Sequence, residues 1–584
     1  MRADRSVFSR ACALLVFVVA GCSAAPPPAP SVAPNEVGTP TVDPAPVGQA
    51  TAAPRATIAA TAPPAKPFTR EQRLRMPITE PPTLDPGLAT DSVSIDVISQ
   101  IFEGLLGFDD RGTIVPLGAE RWTMSEDGLT YTFTLRDGSR WSDGKPVTAG
   151  DYEWAWKRTV DPQTASDYAT VFYPIKNALK IHRQRLDPAE LGVVATDERT
   201  LVVTLEQPAA FFLRLVSGWT MLPVRRDVVE RFGDKWTEAK NVVTNGPFVL
   251  KAWRHDERIT LERYDDYWGA KPALATVAYR IYPADAAPDV LAAYQAGELD
   301  AVGSGAAFDL SAIQGDRFVA DPTLQRELKT FPQSATMFLT VNHRRPHLQD
   351  PRVRMALGQV IERRRLLEDV LQRVGAPAAG LLPEGLVARR PDLWPKEDVQ
   401  QAKQNLAAAG FPDGKGMPEL RFTYNTNPQW KLMGEYLQQR YKDVLGIDLK
   451  LDPMEWAGFL KWRRGEDWQT SGDLYRGGWF ADYEDPNNWH NVLWDSREDP
   501  GVFSSGWKDE AYDVLVRRAR READPARREQ LYAQAEQVLA REYPHIPVFH
   551  YGIQALVKPY VENFEPRRIL GITPLHRVRL ADRP

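Results

Sequence analysis

The sequence Leu-Thr-Tyr-Thr-Phe-Thr-Leu at positions 129–135 alternates apolar and polar residues, and Asp137-Gly138 follows it. Alternation with period two is typical of a strand with one buried face, and Asp-Gly is typical of a tight hairpin turn. Thr148 and Asp151 then have the spacing of an N-cap residue and the acid of a capping box, which predicts the start of a helix. A strand followed so closely by a helix indicates a mixed α/β chain.

The same patterns extend along the chain from residue 68. They predict a second strand pair at 248–253 and 258–263. Apolar periodicity predicts long helices at 351–374, 396–409, 430–445 and 510–541, and the last is expected to continue past Asp524-Pro525.

The composition excludes several classes of protein. The chain has 584 residues, and its 72 Lys and Arg against 77 Asp and Glu give a net charge of -5. A nucleic-acid-binding surface needs an excess of positive charge, so we expect no nucleic-acid partner. With 43% hydrophobic and 26% charged residues, the chain as a whole is neither disordered nor fibrous. The 17 Trp, 19 Tyr and 22 Phe suit a large core, a ligand cleft or both.

The N-terminus has the pattern of an export signal. Arg2, Arg5 and Arg10 precede or border an apolar stretch at 11–20, which is too short to span a bilayer. The stretch ends in Val-Ala-Gly-Cys at 19–22, which matches a bacterial lipobox. We therefore predict a lipoprotein signal peptide over 1–21 and lipidation at Cys22. The alternative is an unlipidated signal peptide with a chance cysteine.

The segment 22–67 is rich in Pro, Ala and Thr and predicts a disordered tether, because it lacks the apolar residues that offset ordering entropy. The chain has two cysteines, Cys12 in the signal and Cys22. An exported body without a disulfide must depend on the size of its core, and a cysteine-ligated metal site is excluded.

Motifs for catalysis are missing. There is no Gly-x-Ser-x-Gly elbow, no phosphate-binding loop and no His-Glu-x-x-His pair. His343 and His347 have the spacing of zinc ligands on a helix, but an intervening proline disfavours that helix, so no metal site is expected. Asp482, Glu484 and Asp485 are candidate acid–base carboxylates without an accompanying nucleophile. We expect no cofactor and no enzyme activity.

A series of short motifs, in order along the chain, resembles one family: the family-five extracellular solute-binding proteins of ABC transporters, in their oligopeptide-binding branch. The motifs are Glu-Pro-Pro-Thr-Leu-Asp-Pro (80–86), Phe-Glu-Gly-Leu-Leu (102–106), Trp-Ser-Asp-Gly-Lys-Pro-Val-Thr-Ala (141–149), Asp-Pro-Gln-Thr-Ala-Ser (161–166), Phe-Gly-Asp-Lys-Trp (232–236), Val-Thr-Asn-Gly (243–246), Asp-Pro-Arg-Val-Arg (350–354), Gly-Trp-Phe-Ala-Asp-Tyr (478–483) and Leu-Val-Lys-Pro-Tyr-Val (556–561).

The resemblance implies an α/β fold of the two-lobed, type II periplasmic-binding-protein kind, which closes on its ligand like a Venus flytrap and carries an extra inserted domain. By resemblance the first lobe comprises 68–102, 222–333 and 552–584. The inserted domain is then 103–221, and the second lobe is 334–551. The ligand is expected between the two lobes.

The resemblance also implies a set of peptide-binding residues. Gly478, Trp479 and Phe480 match the strand that pairs with the peptide backbone, and Asp482 matches the aspartate that receives the peptide's α-ammonium group. The alternative for Asp482 is a turn residue that precedes Asp485 and the following proline.

Other members of the predicted site match less specifically. Arg476 matches an arginine that meets a peptide carboxylate, and its alternative is a solvated charge at a strand end. Arg463 is a weaker match of the same kind. Tyr168 and Trp456 match aromatic residues that line side-chain pockets, and core packing is the alternative for both.

The chain also departs from the family pattern. Phe480 stands where some relatives have a disulfide-bonded cysteine, and Trp430 stands where certain members have a histidine near the peptide's carboxylate end. Relatives supply a lysine in the segment that matches 370–377, and only Arg373 is available there as a substitute. The accepted peptide length and the recognition of the C-terminus therefore stay open.

The sequence thus predicts an exported, lipid-anchored and monomeric receptor, in the periplasm or on the outer face of the cell membrane, that binds short peptides and delivers them to an ABC permease. One alternative keeps the fold but changes the cargo to a nickel chelate, haem, a sugar or an opine. Alternatives from other classes are a peptidase or amidase, and a chaperone or adhesin.

Overall fold

The computed structural model describes residues 71–109, 112–283, 286–303, 321–465, 467–497 and 505–582. The predicted signal peptide, Cys22 and the predicted tether lie outside these residues. Every described residue belongs to the second of two units into which the chain divides, Pro67–Pro584.

The described strands and helices alternate along the chain. The strands are β1 (Arg73–Ile78), β2 (Leu106–Phe108), β3 (Ile114–Pro116), β4 (Ala119–Met124), β5 (Thr130–Leu135), β6 (Val193–Asp197), β7 (Thr200–Thr204), β8 (Phe248–Arg254), β9 (Arg258–Arg263), β10 (Thr276–Ile281), β11 (Ala301–Val302), β12 (Leu328–Val341), β13 (Gly375–Pro377), β14 (Leu420–Asn425), β15 (Leu449–Met454), β16 (Leu474–Phe480), β17 (His545–Val557), β18 (Val561–Glu562) and β19 (Arg579–Leu580). The α-helices are α1 (Ser92–Ile101), α2 (Ala149–Val160), α3 (Ala178–His182), α4 (Phe212–Val216), α5 (Arg226–Phe232), α6 (Ala287–Gln295), α7 (Pro322–Glu327), α8 (Pro351–Gln359), α9 (Arg363–Arg365), α10 (Val399–Ala408), α11 (Pro428–Leu445), α12 (Trp456–Arg464), α13 (Trp468–Ser471), α14 (Asn487–Trp494), α15 (Glu510–Arg521) and α16 (Pro525–Glu542).

The strands form three larger sheets. One has the order β1-β10-β9-β8, and a second, fully antiparallel sheet has the order β4-β5-β7-β6. The third has the order β11-β17-β12-β16-β14-β15, with β13 also paired to β17. The mixed α/β chain predicted from the sequence is confirmed.

The predicted hairpin at 129–138 is half right. The strand exists as β5 and Gly138 adopts a turn conformation with φ +84, but β5 pairs with β4 before it and with β7. Because these neighbours occupy both edges of β5, the chain after Asp137-Gly138 makes only an isolated bridge between Arg140 and Pro146. The hairpin turn lies instead between β4 and β5, where Gly128 has φ +70.

The helices predicted at 396–409 and 430–445 agree with Val399–Ala408 and Pro428–Leu445 to within three residues, whereas the other two predictions are too long for a single helix. The capping box before α2 is confirmed, since the backbone N–H of Thr148 donates to Asp151 at 2.8 Å. The helix predicted at 510–541 is two helices, because Asp524 caps a new one by accepting from the Arg527 N–H at 2.8 Å. The helix predicted at 351–374 ends at Gln359, whose carbonyl accepts instead from the Asp398 N–H.

Two hydrophobic cores meet along the same pair of strands. On β12, Leu328 and Phe331 pack against the first core, and the segment from Ala335 onward belongs to the second. On β17 the order is reversed, with Phe549 in the second core and Leu556 in the first. The pairing of β12 with β17 shifts register between Pro332 and Thr336, where the strands pass from one core to the other.

None of the described helices combines the length and the apolar character that crossing a bilayer requires.

Arg354, in the motif at 350–354, is a buried cation that contacts the end of α16. It is 1% exposed, and its guanidinium donates to the carbonyls of Leu348 at 2.8 Å, Gln349 at 2.7 Å and Tyr543 at 3.0 Å. Burial lowers its pKa to about 10. Backbone carbonyls near a helix C-terminus favour a positive charge. The hydrogen bond from Arg354 to the Tyr543 carbonyl therefore stabilises the contact between α8 and the end of α16.

We expect Arg354→Met to lower the free energy of unfolding by on the order of 3 kcal/mol, because several buried carbonyls would lose their donor. Urea unfolding followed by tryptophan fluorescence and circular dichroism measures the change. Arg352→Met is the matched control, since Arg352 is half exposed and pairs with Asp350 on the surface, where the loss should be small. Equal losses for the two variants would contradict this role of Arg354.

Candidate functional site

Strand β16 has one edge that is paired along its length and one that is mostly open. It pairs with β12 from Leu474 to Phe480, but with β14 only at Leu474 and Tyr475. From Arg476 to Phe480 the second edge therefore has no neighbour among the described strands. An unpaired strand edge offers N–H and C=O groups to another extended chain.

The two glycines in this strand have different surroundings. A Cβ atom at Gly477 would lie 2.5 Å from the Phe338 ring, so only glycine fits there without a shift of that ring. At Gly478 the nearest atom to such a Cβ is 3.7 Å away, which leaves room above the strand. The sequence Gly-Gly thus packs tightly on one face and stays open on the other.

A cavity of about 760 Å³ lies beyond the C-terminal end of β16. Asp482, Tyr483 and Glu484 form part of its wall, and Trp219 and Arg567 line it as well. Trp219 belongs to the first core, whereas Ile569, which also lines the cavity, packs against the second. The cavity is therefore lined from both cores.

The carboxylate of Asp482 is held by an amide. The side-chain NH₂ of Asn488 donates to it at 3.1 Å, and the Asn488 carbonyl accepts from the Asp482 N–H at 3.1 Å and from the Trp479 indole N–H at 2.8 Å. Within the described part of the chain, no cation pairs with Asp482. Burial raises the pKa of the Asp482 carboxyl, and the Asn488 hydrogen bond offsets part of that rise.

Tyr168 lies close to the same carboxylate. Its ring meets that of Trp219 edge-on, with 5.1 Å between the centroids. Burial raises the pKa of Tyr168 to about 12, and the charge of Asp482 adds to the effect. Tyr168 thus contacts Trp219, which lines the first cavity, but it is not itself one of the lining residues and packs against the first core.

A second cavity of about 350 Å³ brings together three predicted residues, Arg476, Trp456 and Phe480. Trp456 is 47% exposed and Phe480 44% exposed, so neither is a core residue. Arg373 and Trp430, which like Phe480 depart from the family pattern, line the same cavity.

The arginines of the second cavity lie against aromatic rings. The guanidinium of Arg476 is 4.8 Å from the Trp430 ring centroid, and that of Arg373 is 5.4 Å from the Tyr551 ring centroid. Arg373 also donates to the side-chain carbonyl of Gln429. Stacking on a ring orients a guanidinium without using up its edge N–H donors.

Arg463, like Tyr168, does not line either cavity. It lies on α12 with its guanidinium 5.9 Å from the Phe459 ring centroid, and its charge acts on the nearby Tyr475.

Sequence reasoning missed Asn488, Tyr551 and Arg567. Asn488 had a weak signal, since it follows Asp482 closely at the start of α14. Tyr551 and Arg567 had none, because β17 and the segment after it reach the site only through the tertiary fold.

The three carboxylates considered as acid–base groups, Asp482, Glu484 and Asp485, have different hydrogen-bond partners. Asp485 makes two hydrogen bonds with Arg528, at 2.6 and 2.8 Å, and is therefore neutralised. Glu484 accepts from the Ser334 hydroxyl at 2.7 Å. Asp482 accepts from the Asn488 amide at 3.1 Å and pairs with no cation among the described residues.

The two histidines considered as metal ligands have separate partners. His343 Nε2 contacts the Pro544 carbonyl at 3.0 Å, and His347 Nε2 contacts Asp473 at 2.9 Å. Among the described residues, no group of three or more His, Cys, Asp or Glu side chains is arranged to hold a metal ion.

We expect Asp482→Asn to raise the free energy of unfolding of the ligand-free protein at neutral pH by roughly 0.5–2 kcal/mol. The raised pKa of Asp482 means that its ionised form opposes folding, so wild-type stability falls as the pH rises above the ordinary aspartate range. The amide retains the contact with Asn488. Urea unfolding at several pH values measures the gain, which should shrink as the pH falls. A variant less stable than the wild type at neutral pH would contradict this account.

Comparison with known proteins identifies the family. The family described as bacterial extracellular solute-binding proteins, family 5 Middle, matches residues 113–501. The chain is 34% identical over 497 residues to the probable deoxycholate-binding periplasmic protein YgiS of Escherichia coli K12, covering 83% of this chain and 89% of that protein. It is 33% identical over 496 residues to the periplasmic oligopeptide-binding protein OppA of Salmonella typhimurium, covering 83% and 88%.

Among solved structures, the chain is similar to the unliganded open form of the murein tripeptide-binding protein MppA. The TM-score is 0.77 at 30% identity, and the match covers 88% of this chain and 98% of the other. The predicted two-lobed, type II binding-protein fold is thereby confirmed. The chain belongs to family 5 of the bacterial extracellular solute-binding proteins.

Proposed function

We propose that this protein is the substrate-binding component of a peptide ABC importer and that it binds short, extended peptides between its two lobes. The observation that carries the proposal is the carboxylate of Asp482, which lines a large cavity at the end of an open strand edge and has no cation beside it among the described residues. OppA, a relative with 33% identity, is an oligopeptide-binding protein.

The peptide's α-ammonium group binds Asp482, and its backbone pairs with the open edge of Gly478, Trp479 and Phe480. Backbone pairing fixes an extended peptide without selecting its side chains, which point alternately away from the strand. Tyr168 supports the pocket near the amino end by packing against Trp219.

The opposite end of the peptide lies at the second cavity. Arg476 and Arg373 supply guanidinium groups for a carboxylate, and Trp456 supplies an apolar wall. Arg463 contributes indirectly, by packing within α12 behind this cavity.

Closure of the two lobes completes the site. We assign the hinge to the register shift between Pro332 and Thr336 on β12. This position lies at the predicted lobe boundaries, 333/334 and, on the paired strand, 551/552. The similarity to the unliganded open form of MppA is consistent with an open cleft between the lobes. A ligand that contacts both lobes favours the closed state by its differential affinity.

The protein works outside the cytoplasmic membrane. Relatives are periplasmic binding proteins, and the predicted lipid on Cys22 and the tether at 22–67 hold the monomeric body near the permease. The proposed role is binding without bond cleavage: Asp485, one of the candidate acid–base groups, is paired with Arg528, and the relative OppA is named as a binding protein.

We expect Asp482→Ala to weaken the binding of free-amine tri- and tetrapeptides at least tens-fold, because the ammonium group would be buried without a partner. Isothermal titration calorimetry measures the affinity. An N-acetylated peptide should bind the wild-type protein equally poorly. Asp265→Ala, which removes an exposed aspartate, is the control and should bind like the wild type.

Unchanged affinity in both the Asp482→Ala and the N-acetyl experiments would refute the assignment of Asp482. Deoxycholate, the ligand in the name of one relative, serves as the competing cargo. A protein that binds deoxycholate but no peptide would have the fold without the proposed substrate.

We expect the affinity for a free-amine peptide to fall with acid from a pH above the ordinary aspartate range. The ammonium group binds the ionised carboxylate, and the pKa of Asp482 is raised in the ligand-free protein, so proton and peptide compete. Titrations between about pH 4 and pH 8 measure the profile. The Asp482→Asn variant should lose this dependence. An identical acid profile in that variant would attribute the effect to another group.

A further inference from the structure

The cavity that contains Asp482 also contains a cation without a carboxylate partner. Arg567 follows β18, and its backbone N–H donates to the Ile572 carbonyl at 2.9 Å, which fixes the start of its side chain. Its guanidinium makes one long contact, 3.5 Å to the Phe108 carbonyl. No carboxylate oxygen of the described residues lies within 4.0 Å of it. Burial lowers the pKa of Arg567, and the charge of Glu484 opposes this.

Most of the other charged groups around this cavity have partners, whereas the exposed Glu565 has none among the described residues. Arg568 donates to the Glu384 carbonyl at 2.6 Å, and Arg214 lies 3.8 Å from Asp485. Glu484 accepts from Ser334, and Arg577 and Asp109 have interactions of their own. Asp482 and Arg567 thus line the cavity with opposite charges, and neither has an ion pair among the described residues.

We propose that Arg567 binds an acidic group next to the ligand's free amino terminus, so that the protein prefers peptides whose first or second residue is Asp or Glu. The inference rests on the proposed peptide-binding function and names the ligand class within it. The ammonium group is bound by Asp482 and the acidic side chain by Arg567.

The preference follows from the cost of an unpaired charge. When the cleft closes and water leaves, a neutral side chain beside Arg567 would leave the guanidinium without an acceptor, whereas a carboxylate supplies one. A charge-assisted hydrogen bond of this kind corresponds to roughly 10-fold to 100-fold in affinity.

The two charges also lie on different parts of the fold. Asp482 follows β16, whereas Arg567 belongs to the C-terminal segment that the sequence assigns to the first lobe. A ligand with both charges therefore bridges the two lobes and stabilises the closed state more than a ligand with one. The competing arrangement is an ion pair between Arg567 and Glu484 on closure, which would leave no role for an acidic ligand.

The test compares matched peptides on the full-length protein by isothermal titration calorimetry. One pair is Ala-Glu-Ala-Ala and Ala-Gln-Ala-Ala, and the other is Asp-Ala-Ala-Ala and Asn-Ala-Ala-Ala, so that each arm tests one position. We expect the acidic member of at least one pair to bind the wild type 10-fold to 100-fold more tightly. Arg567→Gln should bind both members alike. Arg579→Gln, on the same segment but paired with Glu562 outside the cavity, should keep the preference.

A charge reversal guards against an Arg567→Gln variant that folds poorly. Arg567→Glu should prefer Ala-Lys-Ala-Ala to Ala-Gln-Ala-Ala. Equal binding of acidic and amide peptides by the wild type would overturn the proposal and favour the ion pair with Glu484, while peptide binding itself would stand. If no peptide binds at all, both the proposed function and this inference fail.

Discussion

The site depends on one constraint: Asp482 is held by an amide and not by a cation. Asn488 fixes the position of the carboxylate without neutralising it, and the surrounding protein disfavours its charge. Burying a carboxylate without a cation costs free energy, and carboxylates of this kind are typical of functional sites, where a ligand supplies the missing charge. Under the proposed function, that element is a ligand with a positive group in the cavity. In that proposal the open edge of β16 pairs with the backbone of the ligand, and the lobes close around it.

The residues next to Asp482 hold the loop after β16 in place, although burying the Asp482 carboxylate without a cation costs free energy. Tyr483 stacks on Phe211 with 5.6 Å between ring centroids and belongs to the first core. Asp485 is bound to Arg528 on α16, in the second core. The loop is therefore anchored on both sides by residues that are themselves satisfied. Asp482, the member without a cation among the described residues, lines the cavity beside Tyr483 and Glu484, a distribution that fits the proposed binding site.

Local patterns predicted the elements of the site, and the tertiary fold decided which of them meet. The strand at 130–135 and the capping box at Thr148 could be predicted because alternation and capping act over a few residues, whereas the strand at 478–480 was predicted only from the resemblance to the family. The strand that pairs with β5 could not be predicted from the sequence. An Asp-Gly turn stands on each side of β5, and only the pairing in the folded sheet shows that the turn before it forms the hairpin. Arg567 had no local signal at all. Its importance arises from where the C-terminal segment returns to the cavity.

The charges along β16 also give the ligand a direction. Asp482 lies beyond the C-terminal end of the strand, and Arg476 lies near its start, with no carboxylate paired to it among the described residues. A peptide whose ammonium group meets Asp482 and whose carboxylate meets Arg476 must run antiparallel to β16. Backbone pairing alone permits either direction. The opposite charges at the two ends exclude the reversed peptide, since it would place ammonium beside guanidinium and carboxylate beside carboxylate. The strand thus supplies general affinity, and the charges at its ends supply polarity.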